Sequence, residues 1–350
     1  MEYMEDAMSS LQGESKASGA GGHGLPATMT AATHRTYGGP EVVAVEVLPI
    51  PTPGPGEVLV QVAAAGVDRA TLHLLTGLPY LARVAFGVRR PRQPVMGQQV
   101  AGRVVAKGDG EMPLAVGDRV FGIASGSFAQ FAVAKAAEVA PTPAAVSDVA
   151  AATVGISGMT ALDAVVVHGQ VQAGQRVLVL GGSGAVGSYA VQLAAHLGAE
   201  VTAVCSGPKL TFVRDLGART AVDYQGASMS DMGGPFDVII DIAGNRSVSR
   251  LRSALTPEGA LIIVGGEQGG ALLGGIQRNL VATAVSPFTR QRLAGLFSRT
   301  TAVGCVQLGS LIAQGAVRPA IDRQVGLEDA ATALTAMQRG ELRGQAVVRP

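Results

Sequence analysis

The strongest constraint on this chain is a glycine cluster that joins an apolar run to an alanine-rich run, in VLVLGGSGAVGSYAVQLAAHLG at residues 177–198. The apolar run predicts a buried strand and the alanine-rich run predicts a helix. Glycines in a GxGxxG pattern at such a junction permit a tight turn, let a pyrophosphate approach the backbone and let the helix pack closely on the strand. The first helical amide groups then face the phosphates. The segment therefore predicts a dinucleotide site, rather than a packing junction without a ligand, at Gly182, Ser183, Gly184, Ala185, Val186 and Gly187.

The sequence changes its rhythm near residue 150. From residue 29 onwards, short alternating strands are separated by Gly- and Pro-rich turns, which is typical of an antiparallel β-rich domain. From residue 151, continuous apolar strands alternate with helices, which indicates a parallel sheet covered on both faces. We therefore expect an α/β protein with a β-rich domain at 29–150, completed by the short segment 301–350, and a doubly wound domain at 151–300. Residues 1–28 are polar, glycine-rich and aperiodic, which predicts a disordered extension.

The composition limits the partners that this chain can have. Hydrophobic residues make up 47% of the 350 residues, which is enough for two cores, and the formal net charge is only +1. A nucleic-acid or anionic membrane surface needs a concentrated basic field, so neither partner is expected. No run approaches the roughly 20 apolar residues of a membrane span, and the acidic N-terminal residues do not resemble a targeting signal. The expectation is a cytoplasmic protein that acts on a small molecule.

The end of the second strand of the doubly wound domain bears on the choice of cofactor. Chains that bind NAD usually carry an acidic residue there, which holds the ribose 2′-hydroxyl. Here EVTAVC is followed by Ser206 and Lys209, with no carboxylate between them. A hydroxyl and an ammonium can hold a 2′-phosphate through charge-assisted hydrogen bonds. The sequence therefore favours NADPH, and the alternative is that Lys209 is a solvated surface charge.

Several further segments resemble the zinc-independent quinone oxidoreductase branch of the medium-chain dehydrogenase/reductase superfamily. They are YGGPEVVAVEVLPIPTPGPGEVLVQVAAAGV, VGDRVFGIASGSFAQFAV, ISGMTAL, LGARTAVDY and FDVIIDIAGN. The resemblance implies a GroES-like β-rich catalytic domain, a Rossmann domain and a cleft between them that holds NADPH. It also implies a homodimer joined through edge strands, for which ALIIVGG and QRLAGLFSR are the candidates.

The same resemblance bears on zinc. Zinc alcohol dehydrogenases of this superfamily place a Cys where this chain has Asp68, and a His-Glu pair where it has Gln98 and Gln99. A third ligand would fall near Gly155 and Ile156, where neither Cys nor His is found. Catalytic zinc needs three protein ligands. The comparison of these positions therefore predicts that the protein holds no metal.

The resemblance also implies site residues. Without a metal to polarise a carbonyl, hydride transfer to a quinone or a conjugated C=C bond is easier than direct carbonyl reduction. Tyr80 lies near a proton-donating tyrosine of related enoyl reductases, and Thr160 matches a position beside the nicotinamide. The alternatives are a tyrosine at the cleft rim and a helix cap. Further cofactor contacts are implied for Tyr224, Asn245, Val264 and Gly265.

Three positions depart from the family pattern: Gln99 and Thr71 each replace an Asp, and Gln345 replaces a Lys. The arginine-flanked stretch LARVAFGVRRPRQP is either a wall of the cleft or a surface loop. The sequence thus favours an NADPH-dependent reductase of quinones or α,β-unsaturated carbonyl compounds. Two alternatives are an NADPH-binding protein without redox turnover, and a secondary-metabolism enzyme that uses the cleft for one pathway-specific step, which need not be a redox step.

Overall fold

The computed structural model describes residues 25–244, 246–265 and 270–350. Most of the predicted N-terminal extension lies outside these residues, and the first strand begins at Thr28, one residue earlier than expected. Two large sheets organise the described residues, one of seven strands and one of six.

The seven-stranded sheet has the order β14-β15-β3-β4-β5-β7, with β6 paired to β3. Its strands are β3 (Glu57–Val67), β4 (Gln99–Lys107), β5 (Arg119–Ile123), β6 (Phe131–Lys135), β7 (Val139–Pro141), β14 (Ile321–Gly326) and β15 (Gln345–Arg349). All pairs are antiparallel except β14 with β15. Because β15 pairs with β3, the C-terminal segment lies in the first sheet. A separate antiparallel pair is formed by β1 (Thr28–Thr33) and β2 (Ala44–Pro49).

The six-stranded sheet is entirely parallel and has the order β10-β9-β8-β11-β12-β13. Its strands are β8 (Arg176–Leu180), β9 (Glu200–Cys205), β10 (Thr220–Asp223), β11 (Phe236–Asp241), β12 (Leu255–Ile263) and β13 (Arg292–Gly295). The chain winds outward from β8 in one direction and then from β11 in the other. Ligands of such sheets bind at the carboxyl ends of the strands, where the order reverses.

Short helices surround the two sheets. They are α1 (Arg69–Thr76), α2 (Arg83–Phe86), α3 (Asp148–Ala151), α4 (Met159–Leu162), α5 (Ala185–His196), α6 (Leu210–Asp215), α7 (Val248–Arg252), α8 (Ile276–Val285), α9 (Ala302–Ala313) and α10 (Ala330–Gln338). Two π-helical turns, Val154–Gly158 and Asp163–His168, flank α4 where the chain passes between the sheets. Within the described residues, no helix is both long and apolar enough to cross a bilayer.

One buried cluster unites the two halves. It contains Ala101 and Phe121 from the first sheet together with Val179 and Ile240 from the second. The side chains are mostly Val, Ile, Leu and Ala, as the scarcity of aromatic residues required. Close packing of these side chains fixes how the carboxyl ends of the parallel strands face the first sheet.

The edge of the parallel sheet differs in part from the prediction. Of the two candidate edge strands, ALIIVGG falls in β12, which pairs with β11 on one side and β13 on the other. Its backbone groups are therefore engaged on both sides, and it cannot pair with a second chain. QRLAGLFSR contains β13, which ends the sheet.

Candidate active site

The glycine turn lies at the carboxyl end of β8 and opens helix α5. Gly184 is the N-cap residue, and no side chain caps the helix. A β-carbon at Gly187 would overlap the carbonyl oxygen of Gly181 and lie 2.8 Å from the α-carbon of Gly182. At Gly184, by contrast, the nearest atom to an added β-carbon is the Gly181 oxygen, at 3.7 Å. The turn therefore leaves open space in front of uncapped helical amides, which fits the pyrophosphate of a dinucleotide.

The ends of β11 and β12 form the neighbouring part of the cleft. The amides of Val264 and Gly265 both donate to the carbonyl oxygen of Asp241. The buried carboxylate of Asp241 pairs with Arg278 of α8, whose guanidinium also donates to the carbonyls of Gly265 and Arg246. One ion pair therefore fixes both strand ends where the family resemblance implied cofactor contacts.

Two other predicted contacts on this side have different outcomes. Asn245 lies outside the described residues. Thr160 is half-buried in α4, directly after the π-helical turn that contacts Gln99.

The adenosine end of the cleft contains Ser206, half-buried, and Tyr224, which is exposed. Lys209 differs from the expectation of a cation available to a 2′-phosphate. It is only 8% exposed, and its ammonium donates to the carbonyls of Gly340 at 2.6 Å and Leu342 at 2.5 Å. Burial lowers the pKa of this ammonium from its ordinary value. Lys209 thus ties the parallel sheet to the C-terminal segment.

Two charged groups near this end were not recognised from the sequence. The Asp223 carboxylate of the adjacent strand β10 lies against Gly207, at 2.6 Å from where a β-carbon would be. The absence of a carboxylate that the sequence indicated therefore holds only for residues 206–209, which follow β9. The guanidinium of Arg343 reaches the carbonyl of Pro208 at 3.4 Å and is exposed.

A buried polar pair joins β3, β4 and the π-helical turn. The Nε2 atom of Gln99 donates to Oδ2 of Asp68 at 3.0 Å. The Oε1 atom of Gln99 accepts from the amides of Ile156 at 2.9 Å and Ser157 at 3.1 Å. These two amides determine the orientation of the Gln99 side chain. The Asp68 carboxyl is therefore held as an acceptor at Oδ2.

Gln99 and Gln345, two of the residues that depart from the family pattern, both lie against Gly66. A β-carbon at Gly66 would lie 2.7 Å from the Nε2 atoms of both Gln99 and Gln345. Both side chains are buried, and neither amide atom of Gln345 has a hydrogen-bond partner among the described residues. In addition, the Gly344 amide donates to the Ser183 carbonyl in the glycine turn. The glycine turn is therefore bonded to the residue next to Gln345, and Gln345 and Gln99 both lie against Gly66.

A cavity of about 500 Å³ lies in the first domain, and Thr71, which contacts Asp68, is among the residues that line it. Its lining includes Thr71, Phe86, Val95, Met96, Gln98 and Ile123. Ala85, Pro91 and Arg92 also line it, so the arginine-flanked stretch contributes a wall. Parts of the same stretch are exposed as well, including Val84 and Val88.

Tyr80 lies outside the lining of this cavity. Its side chain is 48% exposed and is not among the residues that line the cavity. The Arg83 guanidinium stacks between the rings of Tyr37 and Tyr80, at 4.2 and 4.7 Å from the centroids. The Tyr80 amide donates to the Ala271 carbonyl of the parallel-sheet domain at 2.8 Å. Tyr80 therefore takes part in a contact between the domains.

The sequence did not identify Asp68, Thr71, Arg278 or Arg343 as site residues. Asp68 and Thr71 were noted only as exchanges at family positions, and their spacing of three residues was the available signal for a capped helix. Among the described residues, no group of three or more His, Cys, Asp or Glu side chains could hold a metal ion.

Comparison with known proteins gives two family matches. The alcohol dehydrogenase GroES-like domain matches residues 54–144, and the zinc-binding dehydrogenase family matches residues 216–348. These matches correspond to the first sheet and to the later strands of the second. They confirm the predicted combination of a GroES-like and a Rossmann domain.

Two curated relatives and one solved structure extend the comparison. The trans-enoyl reductase pgmF of Aspergillus terreus is 35% identical over 205 residues, covering 55% of this chain and only 56% of that protein. The chloroplast envelope quinone oxidoreductase homolog of Arabidopsis thaliana is 32% identical over 250 residues, covering 67% of this chain and 74% of that protein. A mycobacterial protein solved in complex with NADPH superposes with a TM-score of 0.78 at 25% identity, covering 92% of this chain and 100% of that one.

Proposed function

Because this chain belongs to the medium-chain dehydrogenase/reductase superfamily, with quinone oxidoreductase-like relatives, we propose that it is an NADPH-dependent reductase of quinones or of the C=C bond of α,β-unsaturated carbonyl compounds. The family match makes it a member of an oxidoreductase family with a nicotinamide-dinucleotide-binding fold. The observation that carries the finer proposal is the uncapped glycine turn with open space in front of its amides, together with a cavity in the first domain whose lining includes Phe86, Val95 and Met96.

The proposed reaction divides the work between cofactor and protein. When bound, a nicotinamide dinucleotide supplies the hydride. The amides that open α5 bind its phosphates, and the Asp241–Arg278 pair orients the strand ends near its nicotinamide side. Apolar residues such as Phe86, Val95 and Met96 exclude water from a conjugated substrate. Charge that develops on the substrate oxygen needs hydrogen-bond donors, and Gln98 in the cavity lining carries a suitable amide.

The function is tested by mixing the purified protein and NADPH with a panel of quinones, enones and alkenals. We expect oxidation of the cofactor by at least one conjugated acceptor and none by the corresponding saturated ketone. The matched control is Gly184→Ala, which we expect to be inactive because its side chain fills the phosphate position. Cofactor that binds but is oxidised by no member of the panel would contradict the proposal.

The departures at Gln99, Thr71 and Gln345 favour a second candidate, a protein that binds NADPH without redox turnover. This candidate requires that the hydride of the bound cofactor is inert. Transfer of deuterium from 4-deuterated NADPH to any product would eliminate it.

The proposed preference for NADPH depends on cations at the adenosine end. Because the ammonium of Lys209 is engaged with two carbonyls, we assign the 2′-phosphate contact chiefly to Arg343, with Ser206 and Tyr224 beside it. Arg343→Ala is expected to raise the Kd for NADPH about tenfold, the loss of one charge-assisted bond, and to change the Kd for NADH less than about twofold.

The matching variant Lys209→Met should act differently. It leaves the carbonyls of Gly340 and Leu342 without their donor, so we expect a loss of about 1–3 kcal/mol in unfolding free energy and little change in the ratio of the two Kd values. Arg339→Ala, which removes an exposed arginine paired with Glu341, is the control. A tenfold loss of NADPH preference in Lys209→Met, with Arg343→Ala unchanged, would reverse the assignment.

The expected homodimer remains a prediction. Its support is that β13 ends the parallel sheet and that Phe297, two residues beyond it, is 76% exposed.

A further inference from the structure

We propose that Thr71 is the proton donor of this site and that the buried carboxyl of Asp68 supplies its proton. The inference rests on the proposed function, because only a reduction by hydride needs a separate proton at the substrate. Nothing in the family pattern suggested it, since the family carries an Asp where this chain has Thr71 and a Cys or another residue where it has Asp68.

The surroundings of Asp68 suit a carboxyl that stores a proton. The side chain is 1% exposed and caps α1. Its Oδ1 atom accepts from the amide of Thr71 at 2.8 Å, and its Oδ2 atom accepts from Gln99. Within the described part of the chain, the groups that hold this carboxyl are amides and a hydroxyl, and none of them carries a positive charge. A carboxyl in such a place is a store for one proton.

One hydroxyl group, that of Thr71, links this carboxyl to the cavity. The hydroxyl oxygen of Thr71 lies 3.2 Å from Oδ1 of Asp68, and Thr71 lines the cavity. When Asp68 is ionised, the hydroxyl donates to it. When Asp68 is protonated, a proton on the lone pair of Oδ1 that faces Thr71 can be donated to the Thr71 hydroxyl, while Oδ1 still accepts from the Thr71 amide and Oδ2 from Gln99. The hydroxyl hydrogen of Thr71, a residue only 1% exposed, is then available for transfer towards the cavity that this residue lines.

The competing donor, Tyr80, lies away from the cavity. Tyr80 does not line the cavity, and its ring stacks on Arg83 at the rim. Thr71 combines both requirements of a general acid, contact with the cavity and contact with a proton source.

The proton balance closes within these groups. Hydride from the reduced nicotinamide forms a C–H bond at the β-carbon of an enone and leaves an enolate, while the nicotinamide is oxidised. The α-carbon takes the proton of the Thr71 hydroxyl, and Thr71 takes the proton of Asp68. For a quinone, the oxygen takes the proton instead. The Asp68 carboxylate is then protonated again by water that enters the cavity after the product leaves.

The relay has a defined pH dependence. Burial raises the pKa of Asp68 to about 6, and the hydrogen bonds from Thr71 and Gln99 partly oppose this rise. The proton-bearing form is therefore present below pH 6 and is lost as the pH rises through that value. The ionisable side chains of the same helix are Arg69 and His73. The elements that face Asp68 contribute the uncharged Gln99, Ser157 and Gln345, and the cavity that Thr71 lines also contains the ionisable side chains of His34, Glu57, Arg92, Lys135 and Glu138. We expect a protonation-limited rate to fall about tenfold per pH unit above about pH 6.

The test compares Thr71→Val with Thr71→Ser, since both keep the backbone amide that Asp68 caps. With an enone in deuterated water, we expect Thr71→Val to lose about 100-fold in kcat and to lose the pH dependence near 6, with KM little changed. Thr71→Ser should retain both the rate within about threefold and the profile. If Thr71 acted only through packing, Thr71→Val, which keeps the shape of the side chain, would keep both the rate and the pH profile.

Tyr80→Phe tests the competing donor in the same assay. If Tyr80→Phe loses about 100-fold and Thr71→Val does not, the relay is overturned while the proposed function stands. The relay is likewise overturned if wild type turns over and Thr71→Val keeps its rate and pH profile. If wild type oxidises no cofactor with any acceptor, the proposed function itself fails and this proposal fails with it.

A second readout needs no turnover. Carboxyl carbon NMR of the apoprotein, labelled at aspartate, should give one signal that titrates near pH 6 and that moves in Thr71→Val but not in Tyr80→Phe. We expect Asp68→Asn to identify this signal by its loss. If Asp68→Asn fails to fold because its amide faces that of Gln99, the shift in Thr71→Val identifies the signal instead. Titration of every aspartate near pH 4 would overturn the relay.

Discussion

Gly187→Ala is expected to prevent the Rossmann half of the protein from folding, whereas Gly184→Ala is expected to leave the fold intact and remove cofactor binding. A β-carbon at position 187 would overlap the carbonyl oxygen of Gly181 and crowd the α-carbon of Gly182, and both are backbone atoms that cannot turn aside. We expect this variant to lose at least about 3 kcal/mol in stability, the effect of overpacking at a site that cannot relax.

Gly184→Ala is expected to fold because the space beside Gly184 is open. Gly184 has φ −83° and ψ −178°, a conformation that alanine adopts freely, and its β-carbon would meet only one atom within 4 Å. That space is where a pyrophosphate would approach the helical amides. Gly184→Ala should therefore unfold at the wild-type temperature while its Kd for NADPH rises at least about tenfold.

Thermal unfolding and calorimetric titration of both variants provide the measurement, with Gly226→Ala as a control because an added β-carbon there meets nothing within 4 Å. A stable Gly187→Ala protein would show that the helix does not need to pack this closely on the turn, and a Gly184→Ala protein that binds NADPH as wild type does would show that the turn does not cradle phosphate.

Arg278→Met is expected to lower the free energy of unfolding by about 3–5 kcal/mol, the cost of leaving a buried charge without its partner. The Asp241 side chain is fully buried, and Arg278 is its ion-pair partner among the described residues. The same guanidinium donates to the carbonyls of Gly265 and Arg246, so the variant should also bind cofactor more weakly.

The double variant Asp241→Asn/Arg278→Met provides the control. It removes both charges, while the side-chain carbonyl oxygen that remains at position 241 can still accept from the Gly244 amide. We expect denaturant unfolding to recover most of the lost stability in the double variant, as a double-mutant cycle requires of a coupled pair. Equal losses in the single and double variants would mean that the ion pair does not carry the stability of these strand ends.

The predictions from the sequence were correct where the signal was local. The glycine turn, the alternation of strands and helices after residue 151 and the family segments each extend over a few consecutive residues. The six-stranded parallel sheet and the two family matches confirm the fold that these segments indicated. Local backbone geometry and burial determine such patterns, so the sequence carries them directly.

Contacts between distant residues were not predictable in the same way. Asp68 and Gln99 are 31 positions apart, and they meet only because β3 and β4 pair in one register. Lys209 and Leu342 are 133 positions apart, and their contact engaged an ammonium that the sequence had assigned to a cofactor. Tyr80 matched a family position approximately, yet its ring stacks on an arginine at the rim.

The sequence by itself therefore determined the class of fold, the glycine turn between β8 and α5, and the family, because each depends on residues that are neighbours along the chain. Only the tertiary structure decided which polar groups face one another: Asp68 with Thr71 and Gln99, Asp241 with Arg278, and Arg343 beside the end of β9. The physical reason is that strand register and domain packing bring these groups together, and a shift of one residue in a strand would turn its side chains to the opposite face.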